Sequence, residues 1–166
     1  MPSSELILCS DDDCHSPYEM SVYGGLQEKG LHFRVQGVNL HTGQHTTSQH
    51  SKILRTGRIP CLQHDDCVLS ESSAICEYLD DRFPAPEFSR LYPADIRQKA
   101  QARQLQAWLR SDFLALRTER PTEVIFSGRK YPPLSDAGRQ AAEKLIKGSL
   151  QLLGQRSNLF GQWSIA

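Results

Sequence analysis

Ser16-Pro17-Tyr18-Glu19 is a helix start that leaves the chain little choice. Serine is a favoured N-cap, proline suits the first helical position because its missing N–H is not needed there, and a glutamate three places after the serine completes a capping-box pattern. Tyr18, Val22 and Leu26 then recur every four residues on one face, and Gly30 supplies a stop. A short apolar run, Leu6-Ile7-Leu8, precedes this helix; Phe33, Val35 and the stretch from Val38 to Leu40 follow it. Strand, helix and strand in that order predict a βαβ unit with parallel pairing.

The rest of the first half extends this unit. A polar stretch from His41 to Gly57, with one weak helix at most, leads to two apolar runs, Ile59 to Leu62 and Cys67 to Leu69, on either side of His64-Asp65-Asp66. These runs predict a hairpin. Ser70 to Phe83 then reads as a helix with Ala74, Ile75, Tyr78 and Leu79 on one side, ended by Pro84-Ala85-Pro86. The order βαβ, irregular segment, ββα is that of the thioredoxin fold.

From Asp95 onward the patterns are helical only, which places a domain boundary in the segment 85–94. Asp95 can cap a helix with Gln98 at the partner position, and Ala102, Leu105, Leu109, Phe113 and Leu116 predict one long stripe closed by Pro121. A second helix is expected from Ser135 to Leu153, with Ala142, Leu145, Ile146, Ser149 and Leu153 inward and Gly154 after it. The fold class expected is therefore α/β followed by all-α: a thioredoxin-like domain over 1–84, then a helical domain over 95–166.

Composition narrows the function. Lys plus Arg and Asp plus Glu each count 19, so no basic field is available to hold a nucleic acid or an anionic membrane. The opening residues have no cationic start or long apolar run, and no stretch is apolar enough to span a bilayer, so a cytoplasmic location is expected. Five cysteines without a C-x-x-C pair argue against a disulfide framework or a zinc site. His41, His45 and His50 read as part of a solvated loop, and Asp11-Asp12-Asp13 as an acidic turn, so no metal is expected.

Three features now fall in one order: Ser16-Pro17-Tyr18 opening a helix, Ile59-Pro60 entering a strand, and Ser70-Glu71-Ser72-Ser73-Ala74-Ile75 opening another helix. With Leu91-Tyr92-Pro93 and Ala107-Trp108-Leu109-Arg110-Ser111-Asp112 following, the chain resembles the glutathione transferase superfamily along essentially its whole length. The resemblance implies glutathione as co-substrate, a small electrophile or peroxide as second substrate, detoxification chemistry and a homodimer. It also implies that Ile59 and a cis Pro60 meet the cysteinyl part of glutathione, that Glu71 meets its ammonium group and that Ser72 meets a carboxylate. Trp108 and Phe113 would contribute to the electrophile pocket that the family forms between its domains.

Physical chemistry supports such roles and leaves alternatives beside them. A helix start offers unpaired N–H groups and a positive dipole end to a carboxylate, although Ser70, Ser72 and Ser73 also suit simple capping. Lowering a thiol pKa by two units takes about 2.7 kcal/mol, while a hydrogen bond to a charged group supplies roughly 1.5–3 and a helix N-terminus roughly 0.3–1. One hydroxyl donor together with the helix dipole is therefore enough, and Ser16 is the candidate catalytic residue; it is equally suited to being an N-cap alone. Members that resemble glutaredoxins carry a cysteine at this place, so Ser16 removes mixed-disulfide chemistry there. Serine-using classes often place their serine one residue further from the proline, where His15 stands. Cys14 offers thiol exchange as another reading, and a non-catalytic binding module is an alternative of a different class. In the family a central helix opens with Ser/Thr-x-x-Asp, whereas this sequence stops at Ser164-Ile165-Ala166, so the helical domain is expected to be incomplete and its apolar stripes to meet water.

Overall fold

The computed structural model describes residues 5–44, 47 and 56–160; His45, His50 and the closing Ser164-Ile165-Ala166 lie outside them. The chain divides into two compact units, 1–91 and 92–166.

In the first unit β1 (Leu6–Asp11) lies at the centre of a four-stranded sheet of order β2-β1-β3-β4. β2 (Arg34–Val38) pairs with it in parallel, as a strand returning through a crossover helix must, with Leu8 level with Val35. β3 (Cys61–His64) and β4 (Cys67–Ser70) form an antiparallel hairpin on the other side. Asp65, at φ 54°, takes the left-handed conformation that its tight turn needs, as short polar side chains do most readily.

α1 (Pro17–Glu28) starts at the predicted cap, with Ser16 extended and its Oγ accepting from the N–H of Glu19 at 3.4 Å. Its buried face is Glu19, Val22, Gly25 and Leu26 rather than the Tyr18 line; Tyr18 is 37% exposed. Gly25 permits close packing, since a Cβ there would stand 3.2 Å from Leu91 Cδ1. α2 (Ser72–Arg82) turns Ser72, Ile75, Cys76 and Leu79 inward and leaves Ala74 exposed, so the inward face is rotated from the expected one. Leu8, Val22, Leu26, Leu62, Ile75 and Leu79 are all fully buried, each worth about 1.5–3 kcal/mol relative to exposure.

Lys29, at the end of α1, is buried with its ammonium group on Asp80 Oδ1 at 3.0 Å, the Phe83 carbonyl at 2.9 Å and the Ser89 carbonyl at 2.7 Å. All three ammonium protons are therefore used, as a buried cation requires. Asp80 Oδ1 also accepts from the Leu91 N–H at 2.8 Å, so the chain after α2 is tied back to the first unit.

In the second unit α3 (Ile96–Ser111) begins at Asp95, whose carboxylate accepts from the N–H groups of Arg97 and Gln98. The expected single long helix is broken: Phe113 takes φ 63°, and α4 (Leu114–Glu119) and the short α5 (Glu123–Phe126) follow. The break is held by Asp112, which accepts from the Phe113 N–H, Trp108 Nε1 and the Lys144 ammonium. α6 (Asp136–Leu153) starts at Ser135 as expected, with Ser135 Oγ accepting from the Gly138 N–H. Of its expected inward residues, Ile146 is 60% exposed. No helix among the described residues is long and apolar enough to cross a membrane.

Candidate functional site

Strand register gathers the predicted residues of the first unit at one end of the sheet. β1 finishes at Asp11, and the loop from Asp12 to His15 delivers Ser16 at the start of α1. Cys9 is level with Cys61, and Cys61 with Ser70, so Ile59-Pro60, just before β3, and Glu71-Ser72, just after β4, lie at the end where β1 finishes. The N-termini of α1 and α2 therefore meet the same edge, and each brings the partial positive charge of a helix start to it.

Each residue has a distinct local setting. The Ile59-Pro60 bond is cis. Pro60 is buried, and Ile59 packs its side chain against the cluster of Cys9, Val38 and Cys61. The Ile59 backbone makes no hydrogen bond among the described residues, so its N–H and carbonyl are free to serve as a strand edge. Glu71 is the N-cap of α2 at φ 70°, a costly left-handed conformation for a glutamate, and its side chain makes no capping bond. Glu71 is exposed, while Ser72 is 8% exposed and its hydroxyl has no partner among the described residues. A buried hydroxyl without a partner at an uncapped helix start is an arrangement that a bound carboxylate would complete.

Ser16 stands in the N-cap position of α1. Its oxygen accepts one long bond from Glu19 N–H, which leaves the hydroxyl proton to be donated elsewhere. Cys14, two residues before it, is exposed at φ 53°, with its N–H on the Asp11 carbonyl at 3.0 Å.

Glu19 is the residue that sequence reasoning assigned to a capping box and that the structure uses differently. Its carboxylate turns away from the Ser16 amide and takes the Ser10 hydroxyl at 2.7 Å and the Asp11 N–H at 2.8 Å. Burial pushes its carboxyl above the usual carboxylate range, against the lowering effect of those two bonds. A signal existed in the sequence: positions 19, 22 and 26 share one helical face, and a carboxylate on an apolar face needs partners. The neighbouring Cys9 and Cys61 thiols are buried across the strand pair; the hydrogen bond with Cys9 and, after it, burial push the Cys61 thiol up.

Trp108 and Phe113 belong to the second unit. Their rings meet edge to face at 4.9 Å, and Phe113 is 4% exposed. Trp108 fits against Gly148, where a Cβ would stand 2.6 Å from the indole ring, and borders an apolar cavity of about 280 Å³ with Leu105, Leu109, Leu152 and Leu153.

Known proteins match this arrangement. Residues 14–81 match the family described as Glutathione S-transferase, N-terminal domain, and residues 95–166 the Glutathione S-transferase, C-terminal domain. A glutathione transferase homolog from Burkholderia GL BGR1, solved with bound glutathione, superposes with a TM-score of 0.78 at 36% identity, covering 98% of this chain and 76% of that one. Among curated relatives, mouse (Mus musculus) Glutathione S-transferase theta-3 is 29% identical over 137 residues, 80% of this chain and 55% of its own length. Protein LigF of Sphingobium is 39% identical over 88 residues, 53% of this chain and 34% of its own. The chain thus spans about half or less of the length of these curated relatives. On the two domain matches and the similarity to the Burkholderia homolog, the chain belongs to the glutathione transferase family.

Proposed function

We propose that the first unit binds glutathione across the end of its sheet and that the bound thiol is used as a nucleophile toward small electrophiles. The observation that carries this reading is the start of α2, where the N-cap Glu71 makes no side-chain capping bond and the buried Ser72 hydroxyl, without a partner among the described residues, is placed to meet a carboxylate. The exposed Glu71 beside it accepts from the ammonium group, and the Ile59 backbone pairs with the cysteinyl residue. This extended contact directs the thiol toward Ser16.

The Ser16 hydroxyl donates a hydrogen bond to the sulfur and so favours the thiolate, helped by the α1 N-terminus, while the thiol proton passes to solvent. In conjugation the sulfur forms a bond to an electrophilic carbon while the leaving group departs with its electron pair. In peroxide reduction the sulfur attacks the O–O bond, giving a sulfenic acid and an alcohol; a second glutathione thiol then forms the disulfide and releases water. Trp108, at the apolar cavity of the second unit, is the residue we assign to contact with the electrophile, with Phe113 supporting its ring.

Calorimetric titration with glutathione tests the binding half of this reading. Binding at millimolar concentration or tighter is expected, and it should disappear when Glu71→Ala and Ser72→Ala are combined. Unchanged binding in that double variant would leave the family fold without this site. Ser16→Ala tests the other half: it should raise the pKa of bound glutathione, read from thiolate absorbance, with little change in affinity.

A further inference from the structure

The geometry points to Glu19 as a positioning residue whose carboxylate, by joining the end of β1 to the first turn of α1, sets where the Ser16 hydroxyl stands. This rests on the reading that Ser16 stabilises the glutathione thiolate. One residue makes both connections: the Glu19 side chain holds Ser10 and Asp11 at the end of β1, and its backbone N–H holds Ser16 Oγ. The loop spanning these anchors is short and reverses through a left-handed Cys14, so the distance between strand end and helix start depends on how the anchors are held.

Packing alone does not account for this residue. Glu19 is 4% exposed, no cation pairs with it among the described residues, and the charge that acts on it is the like-charged Asp11. An apolar side chain on the same face as Val22 and Leu26 would fill the space without the desolvation cost of a carboxylate. What an apolar side chain lacks is the ability to accept from the Ser10 hydroxyl and the Asp11 amide together.

The charge itself opposes a nearby thiolate, so the function is geometric and an uncharged isostere should preserve it. Glutamine meets that requirement: its carbonyl accepts from the Asp11 N–H, and its amide donates to Ser10 Oγ, whose hydroxyl turns round.

The experiment is titration of the thiolate absorbance of bound glutathione in the parent chain, Ser16→Ala, Glu19→Ala, Glu19→Gln and the double variant Ser16→Ala with Glu19→Ala. Glu19→Ala should raise the thiol pKa by roughly one unit, a tenfold loss of thiolate at lower pH, with glutathione affinity little changed. The double variant should shift no further than Ser16→Ala alone, because both changes remove the same interaction. Glu19→Gln should titrate at or below the parent value. If Glu19→Ala does not fold, Glu19→Asp, with a shorter arm and the same charge, should show the same rise. The inference is overturned if Ser16→Ala shifts the curve while Glu19→Ala or Glu19→Asp does not, if the two shifts add, or if glutamine fails to rescue. An unshifted Ser16→Ala curve instead removes the role of Ser16 itself, and this inference with it.

Discussion

The two units bury their apolar residues to different degrees. In the first, a sheet covered by α1 and α2 encloses Leu8, Val22, Leu26, Leu62, Ile75 and Leu79 completely. In the second, Tyr92, Ala102, Leu105 and Phe113 are buried, while Ile96, Leu114, Ile125, Ile146 and Leu150 are all at least 60% exposed. A sheet presents a broad surface on which two helices can close a core, whereas one long helix lying against another covers only a stripe of each. The lesson is that the end of the sheet carrying Ser16, Ile59 and Ser72 stands on a core made from the first unit's own residues, and the helical unit is held more by polar pins: Asp112 at the break after α3, and Glu119 at the start of α6.

Removing anchors one at a time sharpens that contrast. The largest effect is expected from Lys29→Ala, which strands Asp80 without its cation in the first unit; breaking such a buried pair costs about 3–5 kcal/mol, read by denaturant unfolding. Leu26→Ala should cost about 2–5 kcal/mol in the same measurement, because a fully enclosed leucine leaves both lost transfer energy and a cavity. In the second unit Ser135→Ala should cost about 1 kcal/mol through loss of the α6 cap, seen as faster hydrogen exchange in the first turn of that helix. Ile146→Ser, at an exposed position, should stay within about 0.5 kcal/mol; a cost near that of Leu26→Ala would show that the α6 face is covered in solution and would break the contrast.

Acid should also separate the units, with opposite signs. The Lys144 ammonium and the Phe113 N–H hold Asp112 below the usual carboxylate range, and the Ser135 hydroxyl and N–H do the same for Glu119. Their contributions are present above the ordinary carboxylate pKa and are lost as pH falls through the lowered values. Glu19 is raised by burial, so its contribution is present in acid and is lost as pH rises through its folded pKa. Hydrogen exchange across a pH series should therefore show α6 loosening in acid while α1 does not, and Glu19→Gln should stabilise α1 near neutrality but not in acid. Parallel loosening of both helices would contradict this assignment.

What was legible in the sequence was mostly punctuation. Ser16 and Asp95 each cap the helix they were expected to cap, and the second helix begins at Ser135 where its start was expected, because a side-chain oxygen before a helical run has few other uses. The arrangement of strands followed from their order and from the parallel rule for a crossover. The break at Phe113 was hidden because Leu109, Phe113 and Leu116 keep helical spacing straight through it; the cause is Asp112, whose partners Trp108 and Lys144 lie on two different helices. The rotation of the buried face of α1 was missed because Tyr18 fits the stripe by type, while Glu19 belongs to it by its bonds to β1. The strained backbone of Glu71 leaves no mark in sequence, since glutamate is not a residue that announces a positive φ.

Pro84, Pro86 and the polar residues around them look like an open hinge of the kind that proteases cut first. The Lys29 ammonium group alters that expectation, since it grips carbonyls at Phe83 and Ser89 and so fastens both ends of this stretch to the end of α1. A cleaving enzyme needs a stretch of pliant chain, and here that slack exists only once the clasp has opened. Degradation from this side of the molecule should thus keep time with the unfolding of the first unit rather than with local motion at the prolines.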